Sequence, residues 1–389
     1  MKCKAFTNQI VITDVAGARA GLIKPCCSFY ADSNNIIEEF EEELRQNLSI
    51  FNVSIESARD ELAKIDLDTR PSSCNRCFNE ERNGVTSLRQ YHNKAFSGDG
   101  KLESLELSMD GVCNMSCITC DTKHSSTWLK KDNLEEYRLI DTSRFNPNPD
   151  HALYTKNLKK ALADIDLSNL KFLRLGGGEP FFSKNSTDFF QNIKNKEDIR
   201  LFFNTNGSIY PSKKIIECLK QYKKVQIDLS IDAFGKLGEF IRPGVSWSVI
   251  ESNLEKFQEL SLQYPQIETA IHSTISSLNI NIWEQLMAYC NERNMRFTYT
   301  MAHSPNYLSL IMIPLKFRKM FFYSQKWTND PKYKAMCYYP EIPIGKRRSK
   351  LYQKMIRFID LTGNDFGIKL EEANEEIYDI IQSMDVKYW

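Results

Sequence analysis

Three cysteines, Cys113, Cys117 and Cys120, stand in a C-x3-C-x2-C spacing within Asp110–Cys120. Three thiolates on one tight loop suit a metal centre that keeps one metal position open, whereas four would close a zinc or iron–sulfur site. A second group lies upstream. Cys74 and Cys77 form a C-x2-C pair in the Pro- and Ser-rich loop Arg70–Cys77, close enough in sequence to share a metal. With Cys3 and Cys26 they make four thiolates, a closed set. Cys27 is then the spare, or takes the place of Cys26, and structural zinc is an alternative occupant. Cys218 and Cys290 fall on apolar helix faces and read as core residues.

Three further motifs follow strand-like runs. Gly176-Gly177-Gly178-Glu179-Pro180 offers backbone that a ligand can approach closely and, in Glu179, an acceptor for an ammonium. Asn204-Thr205-Asn206-Gly207-Ser208 is a polar turn. Ser230-Ile231-Asp232 precedes Arg242, whose fork suits a carboxylate, while Ser230 suits ribose or carboxylate oxygens. Together they supply acceptors for an amine, donors for a carboxylate and polar partners for a sugar.

The elements that would position these motifs alternate. Strands are expected at Leu105–Ser108, Phe172–Leu175, Arg200–Asn204, Val225–Ile231, Thr269–Ser273 and Arg296–Thr300. Helices are expected between them at Leu158–Ala163, Asp188–Ile193, Lys213–Tyr222, Trp247–Leu260 and Ile282–Asn291. Repeated strand–helix units imply an α/β protein with a mostly parallel sheet, its site at the C-terminal strand ends. Upstream, Gln9–Thr13 reads as a strand, with a turn through Gly17 and Gly21. The return through Cys26 would bring Cys3 and Cys26 or Cys27 toward one end. Helices are expected over Asn35–Asn47, over Ser57–Ile65 with Ser57 as N-cap, and over Glu80–Ala95. The insertion Asp121–Asn169 is long enough to cover the mouth of the site. Past His303 the alternation stops, and the last part reads as helical with a basic block at Lys346–Arg357 and an acidic one at Glu371–Glu376.

The bulk composition narrows the function classes. The chain has 389 residues, 51 basic and 50 acidic side chains and a formal charge of +1. That balance gives no general attraction to nucleic acid or an anionic membrane. No apolar run is long enough to span a bilayer, and Met1–Ala5 lacks the apolar core of a secretory signal. A cytoplasmic protein is expected, whose 11 cysteines serve metals rather than disulfides.

The order of the four motifs resembles the radical S-adenosylmethionine (SAM) superfamily: C-x3-C-x2-C after one strand, then Gly-Gly-Glu-Pro, Thr-Asn-Gly and Ser-Ile-Asp after successive strands. The resemblance covers roughly residues 103–305. It implies a partial (β/α)6 barrel and a [4Fe–4S] cluster held through Cys113, Cys117 and Cys120. SAM would chelate the fourth iron, and its cleavage would give a 5′-deoxyadenosyl radical that takes hydrogen from a substrate. It further implies SAM contacts at Gly177, Gly178, Glu179, Pro180, Asn206, Ser230 and Arg242. Thr119 stands where the family commonly has an apolar or aromatic residue beside the adenine.

The N-terminal cysteines resemble the auxiliary-cluster modules called SPASM and twitch, though here they precede the barrel. This implies a second [4Fe–4S] cluster on Cys3, Cys26 or Cys27, Cys74 and Cys77. Three domains are expected: 1–100 auxiliary module, 101–305 radical SAM core, 306–389 mainly helical extension. The implied substrate is a peptide or protein, with a sugar, small metabolite or RNA as alternatives. An external donor of flavodoxin or ferredoxin type would supply electrons. A non-catalytic zinc or iron–sulfur protein contacting nucleic acid or a partner is the competing reading.

Overall fold

Seven strands follow one another through a parallel sheet in the order in which the chain makes them: β1 (Gln9–Ile12), β2 (Ser104–Ser108), β3 (Phe172–Gly176), β4 (Arg200–Thr205), β5 (Lys224–Ser230), β6 (Ile267–Ile275) and β7 (Arg296–Met301). The computed structural model describes residues 3–16, 19–29, 46–65, 74–321 and 346–384. Each later strand alternates with helix, as expected for parallel strands joined by crossovers. The six strands expected from residue 101 onward are all present. The seventh is β1, which pairs in parallel with β2 (Gln9 beside Ser104) as well as meeting the returning chain. That return is a single antiparallel bridge, Val11 to Lys24, reached through Gly21 at φ 69°.

The chain divides into two compact units: residues 1–113, 148–203 and 211–226, and residues 114–147, 204–210 and 227–389. In the first, β2 and β3 run in register from Ser104–Phe172 to Ser108–Gly176, and β3 and β4 from Phe172–Arg200 to Leu175–Phe203. Their odd-numbered side chains, among them Leu105, Leu107, Leu173, Leu175, Leu201 and Phe203, are buried. The even-numbered face mixes polar and aromatic groups, where Arg174 meets Glu106 at 3.5 Å and lies over the Phe202 ring. In the second unit β6 and β7 pair from Ala270–Arg296 to Ile275–Met301. There the polar face carries Asp228 with Arg296 (3.1 Å) and His272 with Thr298 (2.9 Å). The second unit's core gathers Trp128, Tyr137, Phe145, Tyr307 and Phe358.

Two helix boundaries differ from the sequence reading. The helix expected from Ser57 is capped one turn earlier: it spans Ile55–Lys64, and Ser54 accepts the Ser57 N–H at 3.1 Å. Both serines are good caps, and Ile55, buried at 2% exposure, decides between them by extending the apolar stripe. The expected Glu80–Ala95 helix is two helices, Asn75–Arg82 and Leu88–Ala95. Gly84 at φ 72° stops the first, and Ser87 and Gln90 form a capping box that starts the second. The expected helix Asn35–Asn47, except its last two residues, lies outside the described residues, as do Gly17, Arg70–Ser73 and Cys337. Near the C-terminus Lys346–Phe366, Leu370–Ala373 and Glu375–Ser383 are helical. Among the described residues no helix is long and apolar enough to cross a membrane.

Candidate functional site

Beyond β2 the backbone runs through Asp110 and Val112 to Cys113, and the glycine loop after β3 is laid directly on it. Gly178 N–H donates to Asp110 O (3.2 Å) and Glu179 N–H to Val112 O (2.9 Å). A Cβ on Gly178 would stand 2.1 Å from Val112 O, and one on Gly177, at φ 105°, 2.6 Å from Asp110 O. The close approach that needs glycine here is to the chain's own strand end. Asp110 completes the join: its carboxylate accepts from Val112 N–H (3.0 Å), Ser183 Oγ (2.7 Å) and Asn185 Nδ2 (2.7 Å). Glu179, 1% exposed, and Pro180 are buried beside it. Glu179 accepts from Phe181 N–H at 3.1 Å.

In the second unit Asn206, Ser230 and Arg242 line one narrow cleft together with Met115, which lies between Cys113 and Cys117, and with Asp232 and Trp247. Asn206 donates to Asn114 Oδ1 at 3.0 Å, and its own Oδ1 accepts from Ser208. Arg242 is oriented by Asp232, which is fully buried and takes the Nε proton at 2.8 Å; Nη1 stands 3.7 Å from Cys117 Sγ. Burial works against the Arg242 charge, yet Asp232 and Cys117 outweigh it and hold its pKa above the ordinary arginine value. Burial also pushes the Cys117 thiol up, while Arg242 pulls it back toward the thiolate. Thr119 and Cys120 are half-buried, as is Cys113 in the first unit.

The upstream cysteines are in the first unit. Cys74 sits at the N-terminus of the helix Asn75–Arg82 and Cys77 in its first turn. Cys3 precedes the short helix Ala5–Asn8. Burial raises the Cys3 and Cys74 thiols, Cys74 to about 12, and each feels the charge of its neighbours: Cys77 acts on Cys3, while Cys3 and Cys77 act on Cys74. Cys26, pushed up to about 12 by burial, feels Cys27 and Cys3. Cys27 is exposed, and after burial its charged neighbours are Glu106 and Arg174. Cys218 and Cys290 are buried in helices, in keeping with a packing role.

Among the described residues no three His, Cys, Asp or Glu side chains converge as a metal site. The fit to an iron cluster therefore rests on donor chemistry: three thiols on one loop, one of them with a guanidinium beside its sulfur.

Residues 108–293 match the family model of the Radical SAM superfamily. This stretch, a little under half of the chain, is similar to a radical SAM domain. Such a domain works with SAM and a [4Fe–4S] cluster, and its match encloses all four motifs. A search of curated proteins finds no match. Distant likenesses to solved structures exist. Native anSMEcpe with bound AdoMet is 18% identical, with a TM-score of 0.33, over 56% of this chain and 59% of that one. Streptococcus suis SuiB bound to S-adenosylmethionine is 16% identical, with a TM-score of 0.36, over 75% and 54%. TYW1 with a lysine-pyruvate adduct bound is 18% identical, with a TM-score of 0.30, over 54% and 69%. This chain thus spans little more than half the length of the first two.

Residues that the sequence reading left out of the site are Asn114, Asp232 and Arg144. Asp232 carried a signal, since it ends the Ser-Ile-Asp run ten residues before Arg242. Arg144 carried none, because two of its partners are backbone carbonyls and the third, Tyr307, is distant in sequence.

Proposed function

We propose that this protein is a radical SAM enzyme whose Cys113, Cys117 and Cys120 hold the SAM-binding [4Fe–4S] cluster. The observation that carries the reading is the three-thiol loop inside the stretch that matches the radical SAM model, with the Arg242 guanidinium 3.7 Å from Cys117 Sγ. When bound, cluster and SAM supply a 5′-deoxyadenosyl radical able to take a hydrogen atom from an unactivated C–H bond. The chain's own work is orientation. Asp232 fixes Arg242 so that its terminal nitrogens serve a carboxylate beside Cys117. Ser230 offers a hydroxyl to the ribose or carboxylate. The N–H groups of Gly178 and Glu179 are engaged by Asp110 and Val112. Recognition of an ammonium by Gly177, Gly178, Glu179 and Pro180 therefore falls to loop carbonyls and the Glu179 carboxylate. Asn206 acts on the cysteine loop through Asn114, and Thr119 contributes backbone near the adenine.

In the same reading, residues 1–100 form an auxiliary module, 101–305 the core and 306–389 a helical extension. Cys3, Cys26, Cys74 and Cys77 hold a second [4Fe–4S] cluster. The influence of Cys77 on Cys3 and of Cys3 and Cys77 on Cys74 supports this set, and Cys3 acts on Cys26 beside the nearer Cys27, which favours Cys26 as the ligand. A peptide or protein is the proposed substrate, with a flavodoxin- or ferredoxin-type donor. Anaerobic incubation with SAM and a strong reductant should release 5′-deoxyadenosine. Protein with an intact cluster that releases none would overturn the enzymatic reading.

A further inference from the structure

The loop that carries Cys117 and Cys120 has its carbonyl oxygens taken up by side chains from the segment that follows it. Ser125 Oγ donates to Met115 O at 2.7 Å, and Trp128 Nε1 to Cys117 O at 3.2 Å. Arg144 Nη2 donates to Ile118 O at 2.6 Å and also to Cys120 O. The amides of Ser116 and Ile118 donate to Pro243 O and Ile241 O, both at 2.9 Å. Residues Asp121–Pro147 of the long insertion thus cradle the cysteine loop.

Arg144 is the charged member of this cradle. It is 5% exposed. Its other hydrogen bond goes to Tyr307 Oη at 2.5 Å, and its guanidinium lies 4.8 Å from the Phe145 ring centre and 5.2 Å from that of Phe358. Its hydrogen bonds run to two loop carbonyls and to Tyr307, whose hydroxyl also meets Asp141. A cation buried in an apolar wall acts over a short distance with little screening. We propose that Arg144 is a positioning residue that also acts through its charge. It fixes the Cys117–Cys120 loop through two carbonyls and raises the reduction potential of the SAM-binding cluster. Adding an electron makes a thiolate-ligated cluster more negative, and a nearby buried cation favours that state.

This inference rests on the reading given under Proposed function, and the test separates the two. The reconstituted full chain is titrated anaerobically with chemical reductant, the cluster followed by electron paramagnetic resonance and assigned by its response to added SAM. Wild type, Arg144→Gln and Arg144→Lys are compared, together with iron release to a chelator. Arg144→Gln should have a more negative midpoint than wild type, and Arg144→Lys, which keeps the charge, should not. Both lose the fork and should release cluster iron roughly ten-fold faster, the lower end expected for removing a partner of metal ligands. An unchanged midpoint in Arg144→Gln with full iron, or an equal shift in both variants, overturns the electrostatic role. Should the Gln variant not fold, a shifted midpoint in Arg144→Lys would by itself overturn it. A wild-type protein with no SAM-responsive cluster would overturn the prior reading instead.

Discussion

At the residue scale the glycine motif separates into positions with different duties. A Cβ on Gly178 would meet Val112 backbone at 2.1 Å, and backbone cannot swing aside as a side chain can. A Cβ on Gly176 would meet only Ser108 Oγ at 3.8 Å. Gly178→Ala should therefore destabilise the protein by about 3 kcal/mol, near the upper end for overpacking. Gly176→Ala should lie within about 0.5 kcal/mol of wild type. Denaturant midpoints of the two variants check the contrast, and equal midpoints would show that the loop moves freely off the strand end. Asp232 is the other sharp position. Removing its charge leaves Arg242 buried without its partner, a change that costs roughly 3–5 kcal/mol at buried pairs. Asp232→Asn should show that loss in the same assay and should also weaken SAM binding, read by calorimetry. The sequence reading found Arg242 because a carboxylate-binding fork has a residue type. It missed Arg144 because backbone carbonyl acceptors leave no mark in the sequence.

At the element scale, strands between helices were legible because buried parallel strands read as short apolar runs closed by turns. All six expected from residue 101 onward are present within two residues of their bounds. β1 read only as half of a hairpin, since its main partner, β2, lies some 95 residues away and no local pattern announces it. The helix Leu88–Ala95 carries a buried element-level feature, His92, 6% exposed and stacked on Phe96 at 5.2 Å between ring centres. Burial lowers its pKa from 6.5 to about 4. Between those values the unfolded chain binds a proton that the folded one does not. Stability is therefore full above pH 6.5 and falls as pH drops toward 4. The total loss is roughly 3 kcal/mol at one unit per 1.36 kcal/mol. Melting temperatures of wild type and His92→Leu at pH 7.5 and pH 5 test this. Wild type should lose more on acidification, and parallel losses would remove His92 as the cause.

At the scale of the whole molecule, the question is what occupies two sets of cysteines, and iron content answers it. Charge makes a nucleic-acid-binding role less attractive than the near balance alone suggests. Arg318 and Arg348, which fall in the basic stretches of the C-terminal part, are buried and unavailable to a polyanion. The two cysteine sets differ in a way that can be counted. A loop of three thiolates leaves one iron for SAM, and a closed set of four leaves none. Protein reconstituted without oxygen should then hold about eight irons per chain if both are cubane clusters. Cys74→Ser lies in the first unit and outside the matched radical SAM stretch. It should lower the count to about four while leaving the SAM-responsive signal intact. Cys26→Ser should behave like Cys74→Ser. Cys27→Ser should keep the full count, because the charges around Cys27 are those of Glu106 and Arg174. About four irons with one zinc in wild type would replace the auxiliary cluster by a structural metal. Full iron in Cys26→Ser with loss in Cys27→Ser would exchange the two ligands. The experiment thus reads a local difference between adjacent thiols through a property of the whole chain.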